Sequence, residues 1–236
     1  MKYIEKDLNS SIVSDTRARL DVSKKYNSDP KVRDNLRKIY HGCCAYCEST
    51  FEDAAYSQID HFYPKSKEQF KPYSKDIRNL HYSCQRCNNL KGSSCKDIMS
   101  PNWFLSKNGW KLSDKHKIEQ EIYYVGHMLY SNNIKGSIDR GNNTINLFNL
   151  NNANPSPRNN RASLVESRLK TLNDMYLTLK MLTNLLVNYN KNNKETIELL
   201  IIQAIKKTKP NSPFSTMIIH NYGDMLVKLI KIYVCL

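Results

Sequence analysis

The chain has 236 residues and a formal charge of +14, from 36 Lys and Arg against 22 Asp and Glu. That length allows either one large domain or one domain with a sizeable extension. The charge favours a polyanionic partner, nucleic acid first, with a soluble basic protein that lacks such a ligand as the alternative. No run of roughly 18 to 20 apolar residues occurs, and residues 1–7 lack the apolar core of a signal peptide, so we expect a cytoplasmic protein without a membrane segment.

The first predicted element is a helix that leads into a cysteine pair. Asp29 is a typical N-cap, Pro30 suits the first helical position, and apolar residues follow at helical spacing. His41 and Gly42 end this helix just before the cysteines. The helix therefore ends directly before the first candidate metal ligands.

Four of the seven cysteines form two CxxC pairs, Cys44 with Cys47 and Cys84 with Cys87. Two such pairs supply the four thiolates of a closed, tetrahedral structural zinc site. A disulfide framework is the poorer account, because the total is odd and a reducing cytosol keeps thiols available as ligands. Cys43 is the alternative to Cys44, but it would give the wider CxxxC spacing, so Cys44 is preferred.

The segment between the pairs predicts a strand and a loop, and the second pair opens a helix. Residues 56–62 have strand-like composition, Pro64 stops the strand, and the polar run 65–75 is typical of a loop. The short helix at the second pair carries Asn88 and Lys91 three residues apart, on one face. A ββα unit around a metal is the most economical arrangement of these parts.

Two segments further along the chain predict a β element and a connector. Residues 117–131 predict either one bulged strand or a hairpin around Gly126. Residues 142–160 are rich in Asn and contain two prolines, which predicts a connector and a domain boundary near residue 160, although residues 144–150 have apolar content worth burying.

The C-terminal part of the chain predicts helices. Apolar residues recur at helical spacing through 162–189, and a second helix is predicted over 197–205. We interpret this stripe as ordinary core packing, with a docking face for another protein as the minority alternative. The expected organisation is a domain over 1–160 and a helical region over 161–236.

A set of residues in fixed order resembles the HNH endonucleases of the zinc-stapled ββα-metal type, and the match covers roughly residues 36–92. The set is Cys44, Cys47, Asp60, His61, Asn79, Cys84, Cys87, Asn88 and Lys91. The resemblance implies an α+β fold in which a ββα-metal core with structural zinc follows a helix and precedes a mainly helical C-terminal region. Residues 138–151 with Arg161 look like the tail of bacterial HNH proteins paired with ATPases in retron and Septu-type antiphage systems. That second resemblance implies an ATPase partner and an effector role in defence.

The resemblance also implies individual roles for the polar residues. His61 would be the general base that deprotonates the attacking water, a task suited to an imidazole with a pKa near 6.5. Asp60 and Asn88 would bind a catalytic Mg²⁺ or Mn²⁺, which prefers hard oxygen ligands. Asn79 would tie down the loop that holds His61. Neighbours on a regular strand point to opposite faces, so Asp60 and His61 can serve one site only if the backbone twists or ends there.

Basic side chains around the motif are candidates for phosphate contacts, with a solvated surface role as the alternative for each: Lys65, Lys67, Arg86 and Lys91. His81 is assigned a structural role. The leading hypothesis is a metal-dependent endonuclease that cuts DNA, with RNA as the alternative substrate. The competing hypothesis is a zinc-ribbon adaptor that binds nucleic acid or protein without catalysis. An adaptor explains the cysteines and the charge but not the polar residues between them.

Overall fold

The computed structural model describes residues 1–23, 26, 29–51, 57–112, 118–119, 121–132, 138–154 and 161–236. Their contacts divide the chain into two compact units, one of residues 1–123 with 130–150 and one of residues 124–129 with 151–236. The described residues do not include the predicted boundary near residue 160 or the two prolines of the predicted connector, Pro155 and Pro157. They also do not include Tyr56 and Lys117, the first residues of two predicted β segments. The division of the chain at residue 160 therefore stays a prediction.

The first unit mixes helices with short antiparallel strands. Its described elements are α1 (Ser11–Val22), α2 (Pro30–Ile39), β1 (Ser57–His61), β2 (Leu80–Cys84), α3 (Gln85–Lys91), β3 (Trp103–Ser106), β4 (Gly109–Leu112) and α4 (Arg140–Leu147). Strands β5 (Ile122–Val125) and β6 (Met128–Ser131) form a separate two-stranded sheet. Of the two alternatives for residues 117–131, the hairpin is therefore the one observed.

Helix α2 begins and ends where its sequence signals predict. The Asp29 carboxylate accepts hydrogen bonds from two backbone N–H groups of the first turn, and Pro30 occupies the first helical position. Without this cap, the two backbone N–H groups would have no hydrogen-bond partner within the helix. Past the helix, His41 and Gly42 adopt positive φ angles of 52° and 75°, which turns the chain toward the first cysteine pair.

Strands β1 and β2 and helix α3 form the predicted ββα unit. The two strands pair antiparallel, with Asp60 opposite His81 and His61 opposite Leu80. Helix α3 follows β2 directly, and the Cys84 thiol caps it by accepting the Cys87 N–H. Asp60 and His61 both belong to β1, which ends at His61, so their service to one site stays a prediction.

Two predicted loops contain helical turns. Residues 65–75, predicted as a loop, contain a 3₁₀ helix over Glu68–Tyr73. Part of the predicted connector 142–160 belongs to helix α4, so the connector prediction was wrong there. The cause is local, because the Asp139 carboxylate caps the helix and an apolar side of the Asn-rich segment is buried: Ile145, Phe148 and Leu150.

The second unit contains three long helices, α5 (Ala162–Val187), α6 (Lys194–Thr208) and α7 (Ser215–Val234), each in contact with the other two. The first two match the predicted helices, whereas α7 was not predicted. Most of the apolar stripe of α5 is buried, but Leu169 and Tyr176, two of the residues that define the predicted stripe, are exposed. Among the described residues, no helix is both long enough and apolar enough to pass through a bilayer.

Candidate functional site

The four predicted zinc ligands come together. The thiol sulfurs of Cys44, Cys47, Cys84 and Cys87 all lie within 4.8 Å of one another, and the Cys47 and Cys84 sulfurs are 4.0 Å apart. A tetrahedral zinc site with bonds of about 2.3 Å needs sulfurs roughly 3.8 Å apart, so the arrangement fits Zn²⁺. Among the described residues this is the single group of three or more His, Cys, Asp or Glu side chains with metal-binding geometry.

The first cysteine pair is held against β2 by its own backbone. The Ala45 N–H donates to the Tyr82 carbonyl at 2.9 Å, and the Cys84 N–H points at the Cys44 sulfur at 3.4 Å. Cys43 lies outside the cluster, and its backbone forms an isolated bridge with Thr50. Cys44, not Cys43, is therefore the member of the thiol cluster, in agreement with the CxxC spacing.

Burial controls the protonation of these thiols in the absence of a metal. Desolvation raises the pKa of Cys44 and Cys87 well above the usual thiol value. For Cys84 the pKa is lowered, chiefly by a hydrogen bond with Cys44. Since zinc binds the thiolate, metal binding at neutral pH must displace protons from the cluster.

Asn79 ties down the loop that follows β1. Its amide oxygen accepts the Tyr63 N–H at 2.8 Å, and its amide nitrogen donates to the carbonyls of Tyr63 and Tyr73 at 3.0 and 3.1 Å. The side chain is fully buried, so these bonds are shielded from water. The loop-fixing contacts implied for Asn79 are present, although no contact joins its amide to the ring of His61.

The ring of His61 is anchored by one nitrogen. Its Nε2 lies 3.0 Å from the Ser74 carbonyl oxygen and 2.8 Å from the Tyr26 hydroxyl. A carbonyl oxygen can only accept, so Nε2 carries the proton and the neutral ring keeps its lone pair on Nδ1. Within the described part of the chain, Nδ1 has no hydrogen bond.

Burial also sets the basicity of this ring. Desolvation lowers the pKa of His61 to about 4, and the charges of Lys65 and Lys91 add smaller lowering effects. The hydrogen bond with the Ser74 carbonyl acts in the opposite direction. The ring is therefore neutral near pH 7. It can accept a proton without first having to lose one.

The Asp60 carboxylate contacts a buried tyrosine and a buried lysine. The Tyr46 hydroxyl donates to one carboxylate oxygen, and the Lys91 ammonium lies 3.2 Å from the other. Burial raises the pKa of Asp60, and the lysine charge opposes that rise. The His61 backbone N–H is a further donor to this carboxylate, so the two oxygens accept three donors between them.

Lys91 is a structural residue, and its assignment as a phosphate contact was wrong. Its side chain is 1% exposed, and the ammonium donates to the His61 carbonyl at 2.7 Å as well as to Asp60. An ammonium enclosed in this way cannot reach the phosphate of a bound nucleic acid. The other candidate phosphate contacts are exposed: Lys65, Lys67 and Arg86.

Asn88, the second implied ligand of the catalytic cation, lies on α3 one turn before Lys91 and is partly exposed. No contact places its amide against the Asp60 carboxylate. His81 has the predicted structural role, because it is completely buried and its Nδ1 meets the Tyr40 hydroxyl. Burial lowers the pKa of His81 well below the usual value, so this ring is neutral as well.

Three residues that sequence reasoning did not single out support the site. Tyr26 and Ser74 hold the ring of His61, and the buried ammonium of Lys6 donates to the carbonyls of Ile77 and Leu80 at 2.7 and 2.8 Å. These contacts span between 13 and 74 residues along the chain. No local pattern marks such pairs.

Residues 44–94 match the family model described as HNH endonuclease. The chain carries an HNH endonuclease family domain. It starts at the first zinc ligand, ends shortly after α3 and includes Asp60, His61, Asn79 and Asn88. The HNH resemblance that the motif predicts is thereby confirmed.

Two relatives, both named Septu protein PtuB, extend the comparison. The protein from Bacillus mycoides (strain KBAB4) is 30% identical over 98 residues, which cover 37% of this chain and 32% of that protein. The protein from Bacillus thuringiensis is 24% identical over 199 residues, which cover 80% of this chain and 67% of that protein. The chain thus spans about a third of one relative and two thirds of the other, and the resemblance to Septu-type HNH proteins is confirmed. No solved structure matches the chain significantly.

Proposed function

We propose that this protein is a metal-dependent endonuclease that hydrolyses phosphodiester bonds, with DNA as the favoured substrate and RNA as the alternative. The observation that carries the proposal is the state of His61 inside the HNH domain. Its ring is neutral, it is anchored through Nε2, and its Nδ1 lone pair is left for a water molecule. Such a group is suited to remove a proton from the water that attacks phosphorus.

In this mechanism the chain positions the base and the loop around it. Nδ1 of His61 accepts the proton of the attacking water, while the Ser74 carbonyl keeps the ring from turning. Asn79 holds the loop from Tyr63 to Tyr73 through its three backbone hydrogen bonds, so the base and the loop move little relative to each other.

Asp60 and Asn88 are the residues that we propose to hold the catalytic Mg²⁺ or Mn²⁺. Their carboxylate and amide oxygens are hard ligands, and such oxygens suit a divalent cation. When bound, such a cation stabilises the negative charge that develops on the phosphate. Zn²⁺ at the four cysteines leaves no open coordination position, so its proposed role is structural.

Lys65, Lys67 and Arg86 are the proposed phosphate contacts. All three are exposed and belong to the HNH domain of a chain with a charge of +14. Contacts of this kind position the nucleic acid without reading its sequence, and they weaken as salt rises.

The substitution His61→Ala tests the proposed chemistry. We expect plasmid nicking with Mg²⁺ or Mn²⁺ to fall by about 10²- to 10⁴-fold, the usual contribution of general base catalysis. Zinc content and the folded state should be retained, with some loss of thermal stability because a buried ring is removed. His41→Asn is the matched control, because His41 is exposed, lies outside the site and has a positive φ that Asn tolerates. Equal cleavage by wild type and His61→Ala would remove His61 as the base, and absence of cleavage by wild-type protein would favour the zinc-ribbon adaptor.

We also propose an effector role in antiphage defence with an ATPase as the controlling partner. The support is the similarity to two proteins named Septu and the apolar side chains that the helical unit leaves exposed. Leu177 and Met181, one turn apart on α5, are 55% and 53% exposed. A patch of this kind is typical of a protein interaction site.

Co-purification of the full chain with the neighbouring gene product, the proposed ATPase, tests the docking face. We expect the double variant Leu177→Lys with Met181→Lys to lose the ATPase. The control is Lys170→Ala with Asp174→Ala, which changes exposed polar residues of the same helix. Retention of the ATPase by both variants would reject this face of α5 as the docking surface.

A further inference from the structure

A tyrosine outside the matched domain contacts the proposed base. The Tyr26 hydroxyl lies 2.8 Å from His61 Nε2 and 2.7 Å from the Ser74 carbonyl, and the two rings are 5.9 Å apart at an angle of 59°. Tyr26 is buried, so water does not compete strongly for these bonds. The family match begins 18 residues later, at residue 44.

The directions of these hydrogen bonds follow from the partners. The Tyr26 hydroxyl has one proton, and it donates that proton to the Ser74 carbonyl, which can only accept. The hydroxyl oxygen then faces His61 as an acceptor, and the Nε2–H group is shared between that oxygen and the Ser74 carbonyl. Burial raises the pKa of Tyr26, which keeps the hydroxyl protonated near neutral pH.

The turn that carries the Ser74 carbonyl is fastened to the same N-terminal region at a second point. The Lys75 ammonium donates to the Asp21 carbonyl at 3.3 Å. Asp21 belongs to the last turn of α1, five residues before Tyr26. Two contacts from one region therefore hold the turn against which the ring of His61 rests.

We propose that Tyr26 is a positioning residue for the catalytic base: its hydroxyl, together with the Ser74 carbonyl, fixes the ring of His61 in the orientation that leaves Nδ1 for the attacking water. The inference rests on the proposed function, because it assigns His61 as the base. It adds that the region before the HNH domain completes the active site. Tyr26 itself does not touch the substrate.

The substitution Tyr26→Phe tests this role, because it removes the hydroxyl and keeps the ring contact. With an oligonucleotide substrate and saturating Mn²⁺, we expect kcat to fall about 5- to 10-fold, as for the loss of one hydrogen bond in the transition state. KM should stay within about twofold of the wild type. The ¹⁵N chemical shift of His61 Nε2 should change, because its N–H loses one of two acceptors, and this signal does not depend on catalysis.

Tyr40→Phe is the matched control. Tyr40 makes the same kind of contact, with Nδ1 of the structural His81, and is fully buried. We expect this variant to lose thermal stability, to keep the kcat of the wild type and to leave the His61 shifts unchanged. An equal loss of kcat in both variants would assign the effect to general packing and overturn the inference.

The remaining outcomes separate the two proposals. If His61→Ala is inactive while Tyr26→Phe keeps the wild-type kcat, or if the His61 shifts do not change in Tyr26→Phe, the positioning role is wrong and the proposed function stands. If His61→Ala cleaves like the wild type, the proposed function and the positioning role both fall.

Discussion

The substitution Lys91→Met probes the buried ion pair beneath the proposed active site. Methionine has a similar length and no charge, so the change removes the ammonium without opening a large cavity. The ammonium lies 3.2 Å from an Asp60 oxygen, donates to the His61 carbonyl at 2.7 Å and lies 5.8 Å from the centre of the Phe62 ring. After the change, the Asp60 carboxylate keeps the Tyr46 hydroxyl as its one remaining side-chain donor.

The expected destabilisation is large. Breaking a buried pair by removing one partner costs about 3 to 5 kcal/mol, because a buried charge is left uncompensated. A domain of ordinary stability has roughly 5 to 15 kcal/mol in total, so Lys91→Met should be near the limit of folding. Removing both charges is milder, and we expect Lys91→Met with Asp60→Asn to recover most of the loss.

The loss should depend on pH in a defined direction. Burial raises the pKa of Asp60, and without Lys91 that pKa rises further. A carboxyl group with a raised folded-state pKa favours folding when protonated, and this contribution is lost as pH rises through the raised pKa. The destabilisation should therefore be smaller at about pH 5.5 than at about pH 8.

Urea unfolding at a fixed excess of Zn²⁺ measures these values. Lys65→Met is the control, because Lys65 is exposed and its replacement should change the free energy of unfolding by less than about 0.5 kcal/mol. A loss below about 1 kcal/mol for Lys91→Met, or no recovery in the double variant, would refute the ion-pair reasoning.

Three further predictions concern stability and metal content. Asn79→Ala removes three buried hydrogen bonds to its loop and should lower the free energy of unfolding by about 2 to 4 kcal/mol. Amide hydrogen exchange in the loop should become faster. Unchanged exchange would contradict the prediction. Cys44→Ser should lower both the amount of bound zinc and the number of protons released when zinc is added. Cys43→Ser should leave both quantities unchanged. Equal zinc loss in the two variants would reject Cys44 as the ligand. Gly141→Ala should destabilise by about 1 to 3 kcal/mol, because the added Cβ would overlap the Ser131 hydroxyl oxygen and the Glu121 carbonyl oxygen. Gly223→Ala, whose added Cβ would have its nearest neighbour at 3.6 Å, should stabilise α7 by about 0.5 to 1 kcal/mol. Thermal unfolding measures both changes, and a loss at both positions would argue against the steric cause.

The local parts of the fold could be predicted because their causes are local. The N-cap of α2, the CxxC pairs and the order of strand, strand and helix each depend on residues close in the chain. The same reasoning missed helix α4 in the Asn-rich segment, although the apolar content of residues 144–150 correctly indicated burial there.

Lys91 shows how a local pattern can be interpreted incompletely. It shares a helical face with Asn88, three residues before it, and this suggested an exposed position. It shares that side equally with Cys87, four residues before it, and Cys87 is buried at the zinc cluster. The position of Cys87 was the available signal that Lys91 faces inward.

The amino-acid sequence by itself identified the four cysteines that cluster, the HNH domain and the candidate base, because each depends on the spacing of a few neighbouring residues. Only the tertiary structure decided that Asp60 faces Tyr46 and Lys91 while His61 rests on Ser74 and Tyr26. Such contacts depend on how separate elements pack. Tyr26 and His61 are 35 residues apart, and no sequence pattern links them. Packing brings together groups that spacing cannot pair, and it thereby sets the charge and orientation of each group at the site.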